Sequence, residues 1–184
     1  MFKAVDGEFR PHAEDTAMGM FTKDIETLHD LFVYQLKDIY YAERRIAKAL
    51  PKMAARAADL ELRHGFETHA RETQEQIARL EQVFQMHGAV PEAAKCPSID
   101  CIIDETDDVV GEVADKGVLD AALVAAAQSV EHYEIARYGT LVAWAQMLGR
   151  ADSAQLLRLS LDEEKATDEW LTMLAKTRLN RAAA

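Results

Sequence analysis

The chain has 184 residues, of which 49% are apolar and 29% charged, a balance typical of a globular domain with a sizeable core. Its 32 acidic and 21 basic residues give a net charge of −11, which disfavours nucleic acid as a partner because like charges repel. The sequence shows no signal peptide and no apolar run of roughly 18 residues, so we expect a cytoplasmic protein with no membrane partner. Only 8 glycines and 4 prolines occur, which favours an all-helical fold.

The N-terminal part of the chain carries little pattern. Residues 1–20 have no sustained apolar period and contain glycine and proline, which predicts a flexible tail. The helical domain is then expected to occupy residues 21–184. Its first helix is predicted to have Thr22 as N-cap and to include Ile25 and Glu26 in its first turn.

Four long helices are predicted in this domain from apolar residues at helical spacing. Their approximate ranges are 23–50, 61–87, 119–148 and 152–179. Pro51 lacks a backbone donor, so we expect a kink or a break there. Gly88 and Gly149 are expected to end the second and third helices, and Asp152 is expected to cap the fourth.

The segment 89–116 is predicted to be a long crossover between the second and third long helices. Ser98 or Asp100 could cap a short helix within it. A crossover of this length lets the two helices that it joins run parallel to each other. Cys96 and Cys101 lie here without a second pair to complete a zinc site. We expect reduced thiols, with a disulfide or an interchain contact as the alternative.

A shift of 91 residues superimposes the second pair of long helices on the first. Apolar positions match, Glu43 falls on Glu134, and Glu72 falls on Glu163. The repeat predicts two helical hairpins related by a pseudo-two-fold axis. A loop that differs by one residue would pair Glu72 with Glu164 instead, so the acid contributed by the fourth helix stays open between Glu163 and Glu164.

Each predicted helix brings at least one acid to a similar level, and two of them lie within apolar stripes. Glu43 lies between Ile39 and Ile46, and Glu134 follows Val130 by one turn. A buried carboxylate is costly unless it is paired, protonated or bound to a cation. Taken singly, each acid is better explained by a salt bridge to a neighbouring basic residue. One acid from every helix, related by the repeat, instead favours a dinuclear iron or manganese centre.

One run in each long helix carries a family pattern. The runs are Tyr41–Arg45, His69–Thr73, Val130–Ala136 and Glu163–Asp168. Together they make residues 22–178 resemble the YciF-type bacterial stress proteins of the ferritin-like superfamily. The resemblance implies an all-α, ferritin-like four-helix bundle whose long crossover carries a short extra helix. It also implies a homodimer with a dinuclear iron or manganese centre that acts on peroxide in a catalase-like manner.

The resemblance also implies a set of site residues. Carried over by motif, the candidate metal ligands are Glu43, Glu72, Glu134 and Glu163 or Glu164, with His69, Glu131 and Asp168 in support. Glu131 is the candidate proton-transfer residue. The chain lacks the usual histidine three residues after Glu72 and Glu163. Two alternatives therefore remain, an iron-binding protein that oxidises iron(II) with oxygen, and a non-enzymatic dimeric stress protein whose buried acids pair with arginine.

Overall fold

A computed structural model describes residues 25–184, so the predicted tail and the Thr22 cap lie outside the described residues. Five α-helices follow one another along the chain: α1 (Leu28–Arg56), α2 (Leu60–Met86), α3 (Pro97–Glu112), α4 (Lys116–Met147) and α5 (Ala151–Leu174). The chain continues from α5 through a π-helical turn, Ala175–Leu179, and a final α-helical turn, Asn180–Ala182. None of the helices between residues 25 and 184 combines the length and apolarity needed to cross a membrane.

The four long helices pair as two hairpins, α1 with α2 and α4 with α5. Contacts between α1 and α4 fix their relative direction. Gln35 accepts a hydrogen bond from Arg137 at 3.0 Å near one end, and Asp120 accepts one from the Ala58 amide at 2.8 Å near the other. The two helices are therefore antiparallel, which makes α2 and α4 parallel, as predicted for a long crossover. Helix α3 lies within that crossover and packs against α1 and α4.

The apolar stripes predicted from the sequence form the core of the bundle. Buried members of these stripes come from all four long helices: Phe32, Ile39, Ile46, Leu50, Leu62, Phe66, Leu80, Val83, Phe84, Leu123, Ala127, Val130, Leu141, Ala145, Leu157, Leu161, Leu171 and Leu174. Removing this apolar surface from water is the main force that holds the helices together. The all-α bundle with a helix in its crossover is thus confirmed.

Helix α1 begins later than predicted. Thr27 is its N-cap, because the Thr27 hydroxyl accepts a hydrogen bond from the Asp30 amide at 3.1 Å while the Asp30 carboxylate accepts one from the Thr27 amide at 3.0 Å. This reciprocal capping box satisfies two amides that have no partner inside the helix. Ile25 and Glu26 therefore precede the helix, and their predicted place in its first turn is wrong. Pro51 lies inside α1, which continues to its last residue without the predicted break.

Two other predicted caps are also wrong. The N-cap of α5 is Arg150, and Asp152 lies in the first turn, where its carboxylate accepts a hydrogen bond from the Ser153 amide at 2.8 Å. Helix α3 begins at Pro97, a residue suited to the first helical position because that position needs no amide donor. Ser98 and Asp100 consequently lie within its first turn.

The predicted helix ends and the predicted thiols agree with the structure. Gly88 and Gly149 follow α2 and α4 with φ angles of 63° and 70°, a conformation that glycine adopts without steric cost.

Cys96 is buried, Cys101 is exposed, and both are free cysteines. The Cys96 thiol instead lies 3.2 Å from the Tyr133 hydroxyl.

Candidate metal centre

Four buried side chains from three helices meet at the middle of the bundle. They are His69 of α2, Glu131 and Glu134 of α4, and Glu164 of α5. One nitrogen or oxygen atom from each lies within 4.8 Å of the others. The two α4 glutamates share a face because residues three apart on a helix are neighbours. No more than 3% of any of the four residues is exposed to solvent.

Glu43 of α1 adds a fourth helix to this group. It is completely buried, and its Oε1 accepts a hydrogen bond from the hydroxyl of Tyr138, which is also completely buried. The charges of Glu43 and Glu134 affect each other's ionisation, as expected for carboxyls that face one another across the bundle. Glu43, His69, Glu131, Glu134 and Glu164 are called the carboxylate cluster below.

Many acceptor atoms of the carboxylate cluster have no hydrogen-bond partner among the described residues. They are Oε2 of Glu43, Oε2 of Glu131, both side-chain oxygens of Glu134 and Oε2 of Glu164. Each buried acceptor left without a partner costs about 1–3 kcal/mol. Several carboxylate oxygens that face one imidazole form the kind of donor set that binds divalent iron or manganese. The residues present therefore fit such ions, which would satisfy the unpartnered oxygens.

Burial favours the neutral form of three carboxyls in this cluster, those of Glu43, Glu134 and Glu164. It raises the pKa of Glu43 to about 7, although the hydrogen bond from Tyr138 opposes the change. Burial and the nearby charges of Glu164 and Glu43 raise the pKa of Glu134 well above its usual value. The pKa of Glu164 is also raised, mainly by burial. Without a cation, the cluster therefore retains protons that exposed glutamates release.

His69 is the single basic group of the cluster. Burial alone would lower the pKa of His69, but the carboxylates of Glu131 and Glu72 raise it well above the usual value. Its Nε2 lies 3.3 Å from Glu131 Oε1 and 3.6 Å from Glu164 Oε2, and its Nδ1 lies 3.5 Å from Glu72 Oε2. The imidazole thus contacts the cluster on one side and a partly exposed carboxylate on the other.

Three residues of the predicted ligand set lie outside the cluster. Glu163 is held by Arg79, whose two terminal nitrogens each lie 2.6 Å from a Glu163 oxygen. The Asp168 carboxylate accepts a hydrogen bond from Gln128 at 3.1 Å and lies 3.3 Å from an exposed histidine. The side chain of Glu72 is 37% exposed and reaches the cluster only through its contact with His69. The sequence did not decide between Glu163 and Glu164 on the fourth long helix, and the structure shows that Glu164 is the one that points into the bundle.

Residues 27–184 match the family described as Domain of unknown function (DUF892). The chain belongs to this family. Protein YciF of Escherichia coli (strain K12) is 41% identical to it over 161 residues, which cover 87% of this chain and 97% of YciF. The YciF-type family predicted from the four sequence runs is thereby confirmed.

Solved structures of relatives share the fold of this DUF892 member. YcfI of Rhodopseudomonas palustris is 54% identical, with a TM-score of 0.81 over 83% of this chain and 98% of that one. The E. coli stress protein YciF is 41% identical, also with a TM-score of 0.81, over 85% of this chain and 99% of its own. The protein XCC3681 of Xanthomonas campestris, at 24% identity, has a TM-score of 0.65 over 82% and 92% of the two chains and shows the fold alone.

The helix boundaries of this DUF892 domain fix the register of its internal repeat. Helices α1 and α4 end 91 residues apart, and α2 and α5 begin 91 residues apart. The two hairpin loops therefore have equal lengths, and Glu72 corresponds to Glu163, whereas Glu164 corresponds to Thr73. Glu72 and Glu163 lie at the rim of the bundle, whereas Thr73 and Glu164 are completely buried. The position that points into the bundle is therefore one residue after Glu72 on α2 and one residue after Glu163 on α5.

Two buried side chains that the sequence did not assign to the site hold its carboxylates in place. Tyr138 donates to Glu43, and the Gln76 side-chain amide donates to Glu164 Oε1. Gln76 also donates to Glu163 at 3.1 Å, so it joins the cluster to the rim. Its position seven residues after His69, on the same helix face, was the signal in the sequence for this role.

Proposed function

We propose that this protein is a cytoplasmic stress protein whose carboxylate cluster binds two divalent iron or manganese ions and acts on peroxide in a catalase-like manner. The observation that carries the proposal is the convergence of four buried glutamates and His69 with carboxylate oxygens that lack partners. Four ionised carboxylates carry four negative charges, which two divalent cations would neutralise. This balance supports a pair of ions over a single one.

The side chains around the cluster have separate roles in this proposal. Bound metal ions would supply the reversible change of oxidation state that the disproportionation of peroxide requires. Tyr138 orients Glu43, and Gln76 orients Glu164, each by a hydrogen bond to one oxygen that leaves the other oxygen free. Glu131 lies next to His69 and has one oxygen without a partner among the described residues, which supports a role for it in accepting a proton and returning it.

Elemental analysis and oxygen release together test the proposal. Protein purified without chelator and loaded with manganese(II) or iron(II) is expected to hold two ions per chain and to release oxygen from hydrogen peroxide. Glu134→Gln removes a charge with little change of shape and is expected to lose bound metal and oxygen release. Glu75→Gln removes the same charge from a side chain that is 72% exposed, and is expected to match the parent. Equal oxygen release by chelator-treated protein would contradict the proposal.

The same samples separate the two alternative functions. Consumption of iron(II) and oxygen, without oxygen release from peroxide, would favour an iron-oxidising protein. A purified protein that holds no metal, and whose melting temperature does not respond to added ions, would favour a non-enzymatic stress protein. In that case the raised carboxyl pKa values would be the means by which the fold tolerates its buried acids.

A further inference from the structure

Two openings at the surface lead to residues of the carboxylate cluster. One is a groove of about 430 Å³ between α2 and α5, and it reaches His69. The other is a pocket of about 70 Å³ enclosed by α1, α3 and α4, and it reaches Glu131. An ion or small molecule that moves between solvent and the buried cluster can therefore approach from either of two opposite sides.

The two openings differ in charge. The groove is lined by the acids Glu61, Glu72 and Glu163 and by two histidines, and no lysine or arginine contributes to its described lining. The smaller pocket instead has three basic side chains at its walls, Arg45, Lys48 and Lys52, and one acid besides Glu131, which is Asp107. Acidic walls raise the local concentration of cations, and basic walls lower it. The groove is therefore the side that favours the approach of a divalent cation.

Within the groove, Glu72 is the acid that has no lysine or arginine within 4 Å among the described residues. Glu61 lies 2.9 Å from Arg178, and Glu163 is bound by Arg79 at 2.6 Å. In the part of the chain that the structure describes, the charged partner within 4 Å of Glu72 is His69. The 37% exposure of the Glu72 side chain lets its carboxylate meet solvent and the floor of the groove at the same time.

His69 connects this floor to the cluster. The residue is 3% exposed, and neither of its ring nitrogens has a hydrogen-bond partner of good geometry. Nδ1 faces Glu72 at 3.5 Å, and Nε2 faces Glu131 at 3.3 Å. A buried imidazole that lies between an outer carboxylate and an inner one offers a cation a nitrogen ligand on the way from one to the other.

We propose that the groove between α2 and α5 contains an outer cation site, formed by Glu72 and His69, through which divalent metal ions reach the carboxylate cluster. This inference rests on the metal-binding part of the proposed function and does not require any activity on peroxide. It assigns Glu72 a role in the rate of metal uptake, whereas the cluster determines how many ions remain bound.

The rate of cobalt(II) uptake tests this role. Metal-free protein is mixed rapidly with cobalt(II) and a metallochromic indicator, and the loss of free ion is followed in time at low ionic strength. Glu72→Gln is expected to slow uptake about tenfold, because it removes the one acidic charge of the groove that no lysine or arginine among the described residues pairs with. The number of ions bound at saturation is expected to stay the same. Glu75→Gln, the same change on the same helix but outside the groove, is expected to leave the rate unchanged.

A second pair of variants tests the route without a change of charge. Thr68 lies in the groove and Thr106 lies in the smaller pocket, so tryptophan at either position obstructs one opening. Thr68→Trp is expected to slow uptake, and Thr106→Trp is expected to leave it unchanged. The reverse order would overturn the proposed route.

The remaining outcomes also decide between the proposals. Fewer ions at saturation in Glu72→Gln, taken up at the parent rate, would make Glu72 a resident ligand and overturn its role in uptake. Slow uptake by Glu72→Gln in a protein that fails to turn over peroxide would refute the proposed function and support the outer site. A parent protein that takes up no cobalt(II), manganese(II) or iron(II) would refute both.

Discussion

Replacement of Glu43 by glutamine is expected to stabilise the metal-free protein at high pH. Burial raises the pKa of Glu43 from 4.5 to about 7, so the folded state binds a proton that the unfolded state releases. An acid whose pKa is higher in the folded state than in the unfolded state adds stability when the pH is below its unfolded-state pKa. This stability is lost as the pH rises through its folded-state pKa. At about 1.4 kcal/mol for each pKa unit, the loss is about 3 kcal/mol. Glutamine does not titrate, and its carbonyl oxygen can still accept the hydrogen bond from Tyr138.

Urea unfolding in the presence of chelator measures this effect. Parent and Glu43→Gln are expected to have similar free energies of unfolding at pH 4. At pH 8 the variant is expected to be more stable by about 3 kcal/mol. Glu75→Gln, whose side chain is largely exposed, serves as the control and is expected to show a small difference at both pH values. A difference for Glu43→Gln that does not depend on pH, or a less stable variant at pH 8, would refute the reasoning.

Metal is expected to narrow this difference. Ions that bind the folded parent stabilise it by about 2.7 kcal/mol when their concentration is one hundred times the dissociation constant. Glu43→Gln lacks one carboxylate of the cluster and is expected to gain less from the same ions. The advantage of the variant at pH 8 would therefore shrink, by up to about 2.7 kcal/mol, once manganese(II) or iron(II) replaces the chelator. An equal gain for both proteins would show that Glu43 does not contribute to ion binding.

Two further predictions concern the packing of the bundle. Asp120 is 4% exposed and accepts hydrogen bonds at 2.8 and 2.9 Å from two successive amides in the loop between α1 and α2. Asp120→Asn is expected to lower the free energy of unfolding by about 1–3 kcal/mol in urea, and an unchanged value would contradict this role. A Cβ atom at Gly65 would lie 2.0 Å from the Trp170 ring, so Gly65→Ala is expected to displace the indole and shift its fluorescence. An unshifted emission spectrum would contradict this packing.

The sequence predicted the bundle well because the main signals are periodic and repeated. Apolar stripes fixed the number of long helices, and the equal spacing of Glu43 and Glu134 within those stripes revealed the pseudo-two-fold pairing. The start of α1 was missed, although only Thr27, and not Thr22, has an acid three residues later to complete a capping box. The acid three residues after a candidate cap was therefore the sequence signal that separates Thr27 from Thr22.

The helix face of the second and fourth long helices was harder to predict. Glu163 and Glu164 are adjacent, so they point about 100° apart on a helix of 3.6 residues per turn. Leu157, Glu164 and Leu171 recur every seven residues and are all buried, and this spacing identifies Glu164 as the inward acid. Glu72 could not be placed in the same way, because its exposure depends on packing between α2 and α5 that the repeat alone does not define.

The hydrogen bond between Tyr138 and Glu43 has no counterpart in the other half of the molecule. In the repeat, Tyr138 corresponds to Ala47, so no phenol holds Glu134 from the matching position, and both of its oxygens lack partners within residues 25–184. The two hairpins thus place two carboxylates at matching positions but give them unequal freedom to turn. Any pair of ions held between them has an ordered side and an adaptable side, so we expect stepwise rather than simultaneous loading.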